Sequence, residues 1–250
     1  MKALALPPPE RRYLDELIAR VRARLGDELV GVWALGSSAL GAYEAGRSDL
    51  DVQIVSTSRV PLERRLALAE ALRHRSLPCP ALGLELVWYA LDDVRPLAED
   101  PFFQLNLNTG ACREEKVQPG PGGEAAHWFV LDLAAGREIG VALEGPPLAE
   151  VVAPIPRAML LAALAASLEW HERFDAGSPN RVLNAARSLC WAETGAVVDK
   201  IAGARWLREA APDLAPGLDA ALEARREGRW LEPGAGAPVL ARLREALGRA

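Results

Sequence analysis

Gly36-Ser37-Ser38-Ala39-Leu40-Gly41-Ala42-Tyr43-Glu44-Ala45-Gly46-Arg47-Ser48-Asp49-Leu50-Asp51 joins two apolar runs, residues 29–35 and 50–55. Each run has the length and apolar content of a strand. A glycine and a serine close the first, and two carboxylates open the second. Because side chains alternate along a strand, Asp49 and Asp51 share one face while Leu50, Val52 and Ile54 share the other. Two like charges held side by side repel unless a cation sits between them, and hard oxygen donors of this kind suit Mg²⁺. A small residue and a hydroxyl at a strand end let backbone N–H groups approach phosphate oxygens closely. The stretch therefore reads as a grip for a triphosphate at Gly36 and Ser37 and for a metal at Asp49 and Asp51.

Outward from this stretch the pattern is that of an α/β (α+β) domain. Leu14, Ile18, Val21 and Leu25 recur at helical spacing through residues 10–25, and Gly26 is expected to stop that helix. A second helix is expected over residues 61–73, and a third strand over residues 82–91, giving a mixed sheet with helices. Within LGLELVWYAL, Glu85 is the only charged residue. An ionised carboxylate in such a run is costly unless it meets a metal, a partner or a substrate proton, so Glu85 is the candidate third metal ligand, general base, or both. Residues 102–107 could add a strand, 120–123 a surface turn and 128–135 a short helix. VALEGPP at residues 141–147 ends in turn residues, and AEVVAPIP after Leu148 reads as an interdomain linker. From Arg157 onward Ala, Leu, Glu and Arg dominate, broken at GSPN, APDLAP and EPGAGAP, which predicts an all-helical bundle of about five helices. The expected division is residues 1–150 and 151–250.

The bulk composition narrows the function. Half of the 250 residues are apolar, enough for a sizeable core. Lys plus Arg total 29 against 34 Asp plus Glu, a net charge of -5, which argues against nucleic acid and suits a small cationic partner. Cys79, Cys112 and Cys190 have no metal or disulfide spacing, and His74, His127 and His171 have no mutual metal spacing. The apolar start is too short for a signal peptide and no run reaches membrane-spanning length, so a cytoplasmic, membrane-free monomer is expected.

The G-S and S-D-L-D elements together resemble the signature of the nucleotidyltransferase superfamily, G-S followed at a distance by D-h-D with h apolar. Downstream, VALEGPPLAEVVAPIP and NRVLNAARSLCWAETGAVVDK resemble two stretches of the aminoglycoside adenylyltransferases of the 3''/9 type, with Asn180 and Arg181 in reversed order. That resemblance implies a nucleotidyltransferase domain followed by a helical bundle, ATP as donor, and an aminocyclitol or aminoglycoside hydroxyl as acceptor, hence antibiotic resistance. It implies two Mg²⁺ ions at Asp49, Asp51 and Glu85, with Glu85 also the catalytic base facing the acceptor. Gly36, Ser37 and Ser48 would bind the nucleotide, as would Asn180 and Lys200 from the bundle, placing the active site between the domains. Trp170 and Asp175 would meet the acceptor. Streptomycin-accepting members carry a tryptophan after the third strand, whereas this chain has none between Trp88 and Trp128. A spectinomycin-like acceptor is therefore favoured. The alternatives are another acceptor, a protein side chain or RNA, and a catalytically silent nucleotide-binding regulatory module.

Overall fold

Tyr13, Leu14, Leu17, Val21 and Leu25 fall on one face of the first amphipathic segment, and that face is buried in α1 (Pro8–Leu25). Proline at its start costs no hydrogen bond, because the first N–H groups of a helix lack an intrahelical acceptor. Gly26, at φ 52°, ends it. This and all that follows is drawn from a computed structural model that describes residues 4–248. After α1 come β1 (Leu29–Ala34), α2 (Gly36–Leu40), β2 (Leu50–Ser56), α3 (Leu62–Leu72) and β3 (Leu84–Ala90). Then follow α4 (Leu91–Val94), β4 (Leu105–Thr109), β5 (Lys116–Gln118), α5 (Ala126–Ile139), β6 (Val141–Glu144) and α6 (Leu148–Val151).

The six strands form one mixed sheet in the order β5-β4-β3-β2-β1-β6. Only β2 and β3 run parallel; the other ladders are antiparallel. Val32, Val52, Ile54, Leu86, Trp88 and Leu107 project to one face and pack with Leu17, Val21, Leu68 and Leu72 of α1 and α3. The opposite face carries the residues that alternate with these, among them Asp51, Gln53, Glu85 and Asn106, so the sheet has one apolar and one partly polar side. A buried network locks the far ends of β2 and β3. Ser56 Oγ accepts from Trp88 Nε1 and Gln104 Nε2, each at 2.9 Å, while Gln104 Oε1 accepts from the Val60 N–H at 2.6 Å.

Four expectations are corrected here. The stretch 141–147 ends in turn residues as expected, but its first four form an edge strand, β6, that had not been anticipated: Ala34 and Trp33 pair with Val141 and Ala142, and Gly145 at φ 86° turns the chain away. The supposed linker begins with a helical turn, α6. Phe102 and Phe103 precede β4 instead of opening it, because Phe102 lies under the Arg59 guanidinium and Phe103 packs on Phe129. The helix expected over residues 128–135 is longer, running from Ala126 to Ile139.

The chain divides into two compact units after Ile155. The second consists of α7 (Arg157–Phe174), α8 (Pro179–Thr194), α9 (Lys200–Ala210), α10 (Ala215–Glu227) and α11 (Ala237–Gly248). Helix α8 touches each of the other four. Its Val182, Leu183, Ala186 and Leu189 form the centre of that core. Ser178 caps α8 by accepting from the Asn180 N–H, and Asp199 caps α9 by accepting from the Ile201 and Ala202 N–H groups. Among the described residues no helix is long and apolar enough to cross a membrane.

Candidate active site

Four chain segments meet at one end of the sheet because of its topology. The C-terminal end of β1 lies beside the start of β2, and parallel pairing puts the start of β3 next to that. Antiparallel pairing then brings the β4–β5 turn to the same end. Asp51 and Glu85 occupy one register position on neighbouring strands and so share a face. Asp49, just ahead of β2, joins them through an arginine: Arg113 Nη1 donates to Glu85 Oε1 at 2.5 Å and Arg113 Nη2 to Asp49 Oδ2 at 2.8 Å. Burial works against the Arg113 charge, but the hydrogen bond to Glu85 and the charges of Glu85, Asp49 and Asp51 outweigh it, so its pKa is raised.

Gly36 opens α2 directly after β1, at φ 54°. A Cβ there would overlap the Asp51 carboxylate, so the glycine lets the acid lie against the backbone. Ser37 follows in the first turn of α2, half-buried. The loop from Gly41 to Asp49 is braced at two points. Tyr43 Oη donates to Glu10 Oε1 of α1 at 2.9 Å, and Ser48 Oγ accepts from the Glu44 N–H at 3.0 Å. Burial and that bond to Glu10 push the Tyr43 phenol well up, so it remains a donor.

The three acids offer hard oxygen donors, and the cluster already holds a cation, which is the chemistry Mg²⁺ requires. As they stand, however, they hold an arginine: among the described residues no group of three or more His, Cys, Asp or Glu side chains is arranged for a metal ion. Sequence reasoning missed Arg113. Its signal was a lone arginine in the short connection GACREE at residues 110–115, informative only once β4 is known to pair with β3.

In the second unit Asp175 and Trp170 lie beside His171, and the charge of Lys200 reaches it. Asp175 caps the end of α7, with Oδ2 3.3 Å from His171 Nδ1, and Asn184 Nδ2 lies 2.9 Å from His171 Nε2. Burial holds the His171 imidazole below its ordinary value of 6.5 against the pull of Asp175, and the charges of Arg187 and Lys200 add to the lowering. Lys200, the first residue of α9, therefore acts on the same group as Asp175. Asn180 lies in the first turn of α8, half-buried. Trp170 is half-buried on α7 and stacks obliquely on the exposed Phe174, with centroids 5.5 Å apart, so it is not a core residue. His171 had no signal in the sequence beyond its type; its contacts come from α8 and from one turn further along α7.

No curated protein matches the chain. Residues 150–241 match the family model described as aminoglycoside adenylyltransferase, C-terminal domain. Among solved structures, the spectinomycin adenyltransferase AAD(9) from Enterococcus faecialis, determined with ATP and spectinomycin, aligns with a TM-score of 0.71. The alignment covers 95% of this chain and 99% of that one at 16% identity. Residues 150–241 thus resemble the C-terminal domain of the aminoglycoside adenylyltransferases, and the chain as a whole shares the fold of that solved structure. The family model falls on the α6–α11 region, while Asp49, Asp51, Glu85 and Arg113 all lie ahead of it.

Proposed function

We propose that this chain transfers AMP from ATP to a hydroxyl of an aminocyclitol or aminoglycoside antibiotic, with a spectinomycin-like acceptor favoured over streptomycin. The observation that carries the proposal is the pairing of Asp51 with Glu85 at one register position, with Asp49 tied to the same point. The neighbour solved with ATP and spectinomycin supports the choice of donor and acceptor. The acidic balance of the chain supports a cationic small acceptor over RNA.

Asp49 and Asp51 would hold Mg²⁺. When bound, that ion supplies neutralising charge to the triphosphate. Glu85, whose side chain is 43% exposed, can reach an incoming acceptor and take its proton. In this step the acceptor oxygen bonds to the α-phosphorus, the bond from that phosphorus to the bridging oxygen breaks, and pyrophosphate leaves with the electron pair. The Gly36–Ser37 turn would lie against the phosphates, where the missing Cβ keeps the backbone accessible. By the same resemblance Asn180 and Lys200 are assigned to the nucleotide, and Trp170 and Asp175 to the acceptor.

Incubation with α-labelled ATP and, separately, spectinomycin, streptomycin and bulk tRNA tests the proposal. Labelled spectinomycin with matching pyrophosphate release is the expected result. Label on tRNA alone, or ATP binding with no pyrophosphate from any acceptor, would overturn it.

A further inference from the structure

The acids assigned to metal binding and proton transfer are both engaged by one side chain. Arg113 reaches in from the β4–β5 turn and bridges Glu85 and Asp49 at 2.5 and 2.8 Å, with 27% of its side chain exposed. The space it crosses lies over Gly83, where a Cβ would come within 2.8 Å of Arg113 Cδ. The rest of the turn is anchored elsewhere. Glu115 pairs with Arg73 at 2.8 Å and accepts from Thr109 Oγ1 at 3.0 Å. Arg113 is thus the part of this turn committed to the acids.

Such a bridge is incompatible with both roles. A carboxylate oxygen donating its lone pair to a guanidinium cannot ligate a metal with that pair, and a carboxylate stabilised as an anion by an arginine is a poor proton acceptor. Yet without any cation the acids would repel one another. We propose that Arg113 is a displaceable internal cation: it fills the acid cluster in the nucleotide-free protein and competes with the divalent metal for Asp49 and Glu85. This rests on the functional reading given above, in which these acids bind metal. A competitor that occupies the site most of the time weakens apparent metal affinity by the fraction of time the site is open. Removing the guanidinium therefore tightens metal binding, the reverse of what loss of a structural salt bridge would do.

The test is Mn²⁺ binding without nucleotide, read from the free-ion paramagnetic resonance signal, in the unaltered chain, Arg113→Gln, Arg113→Lys and Asp51→Asn. Arg113→Gln should bind Mn²⁺ about five- to tenfold more tightly than the unaltered chain, with Arg113→Lys between them. Asp51→Asn should abolish binding. Equal or weaker binding in Arg113→Gln, with Asp51→Asn still inactive toward the ion, would overturn this inference alone. Mn²⁺ binding insensitive to Asp51→Asn, or no binding at all, would overturn the metal assignment and this inference with it. A second readout needs no substitution at Arg113. Cys112 is exposed, whereas Cys79 and Cys190 are buried. A nitroxide on Cys112 should gain mobility as Mg²⁺ is added, and an unchanged spectrum at saturating Mg²⁺ would also sink the proposal.

Discussion

Asp51 and Glu85 stand side by side across β2 and β3, the only parallel pair in the sheet. A slip of one residue in either strand would turn that acid into the apolar core, and would bring Leu50, Val52 and Ile54 or Leu84, Leu86 and Trp88 to the partly polar face in exchange. The core behind the sheet therefore sets the alignment of the acids in front of it.

Replacing Glu85 with Gln removes the carboxylate proposed to accept the proton while keeping its shape. Turnover should fall by roughly two to four orders of magnitude with ATP affinity retained, as measured by pyrophosphate release and by nucleotide titration. Full turnover in this variant would rule out Glu85 as the base.

Gly36→Ala places a methyl where the Asp51 carboxylate lies and asks alanine to hold a left-handed backbone conformation. Backbone strain alone should cost roughly 1–2 kcal/mol, and displacement of Asp51 should depress turnover further. Thermal melting and activity read the two effects separately. Unchanged activity would mean that Asp51 need not lie against this glycine.

Gln104→Leu tests the buried network at the far end of the sheet. It strands the Val60 N–H and removes one of the two donors to Ser56 Oγ. A loss of about 1–3 kcal/mol in denaturant unfolding is expected, since a buried donor left without an acceptor keeps its desolvation penalty. A change under a few tenths of a kcal/mol would show that water replaces the amide.

His171 gives the second unit a pH dependence of known sign. Its folded pKa lies below the ordinary 6.5, so between those two values the unfolded chain binds a proton that the folded chain does not. Stability from this group is intact above about pH 6.5 and is lost as pH falls toward the lowered value. His171→Gln should therefore flatten the fall in unfolding free energy between about pH 7 and about pH 5. An equally steep fall in the variant would assign the acid sensitivity to other groups.

The central strands and the acids on them were legible because two physical signals coincide there. Apolar alternation fixes a strand, and a carboxylate interrupting it marks the face turned away from the apolar core. Glu85 satisfies both, and so its face could be deduced from its neighbours in LGLELVWYAL. Strand β6 gave neither signal, since four residues ahead of Gly-Pro-Pro are too few to show a period, and its pairing is supplied by β1. Arg113 was illegible for a different reason. Its partners are 28 and 64 residues away, and only the order of the strands brings them together. Most of the bundle was readable from Ala and Leu periodicity, but the burial of His171 depends on which helix packs on α7, and spacing alone does not fix that.

The strands bearing the acids are innermost, each hydrogen-bonded on both sides, whereas the hairpin that carries Arg113 ends at the border of the sheet. Insertions or replacements in β5 disturb only its three-residue ladder with β4. Such an architecture fixes the strands of the acids while the cation that meets them is borne by a replaceable border, so variation among proteins of this build should accumulate at the border and spare the middle.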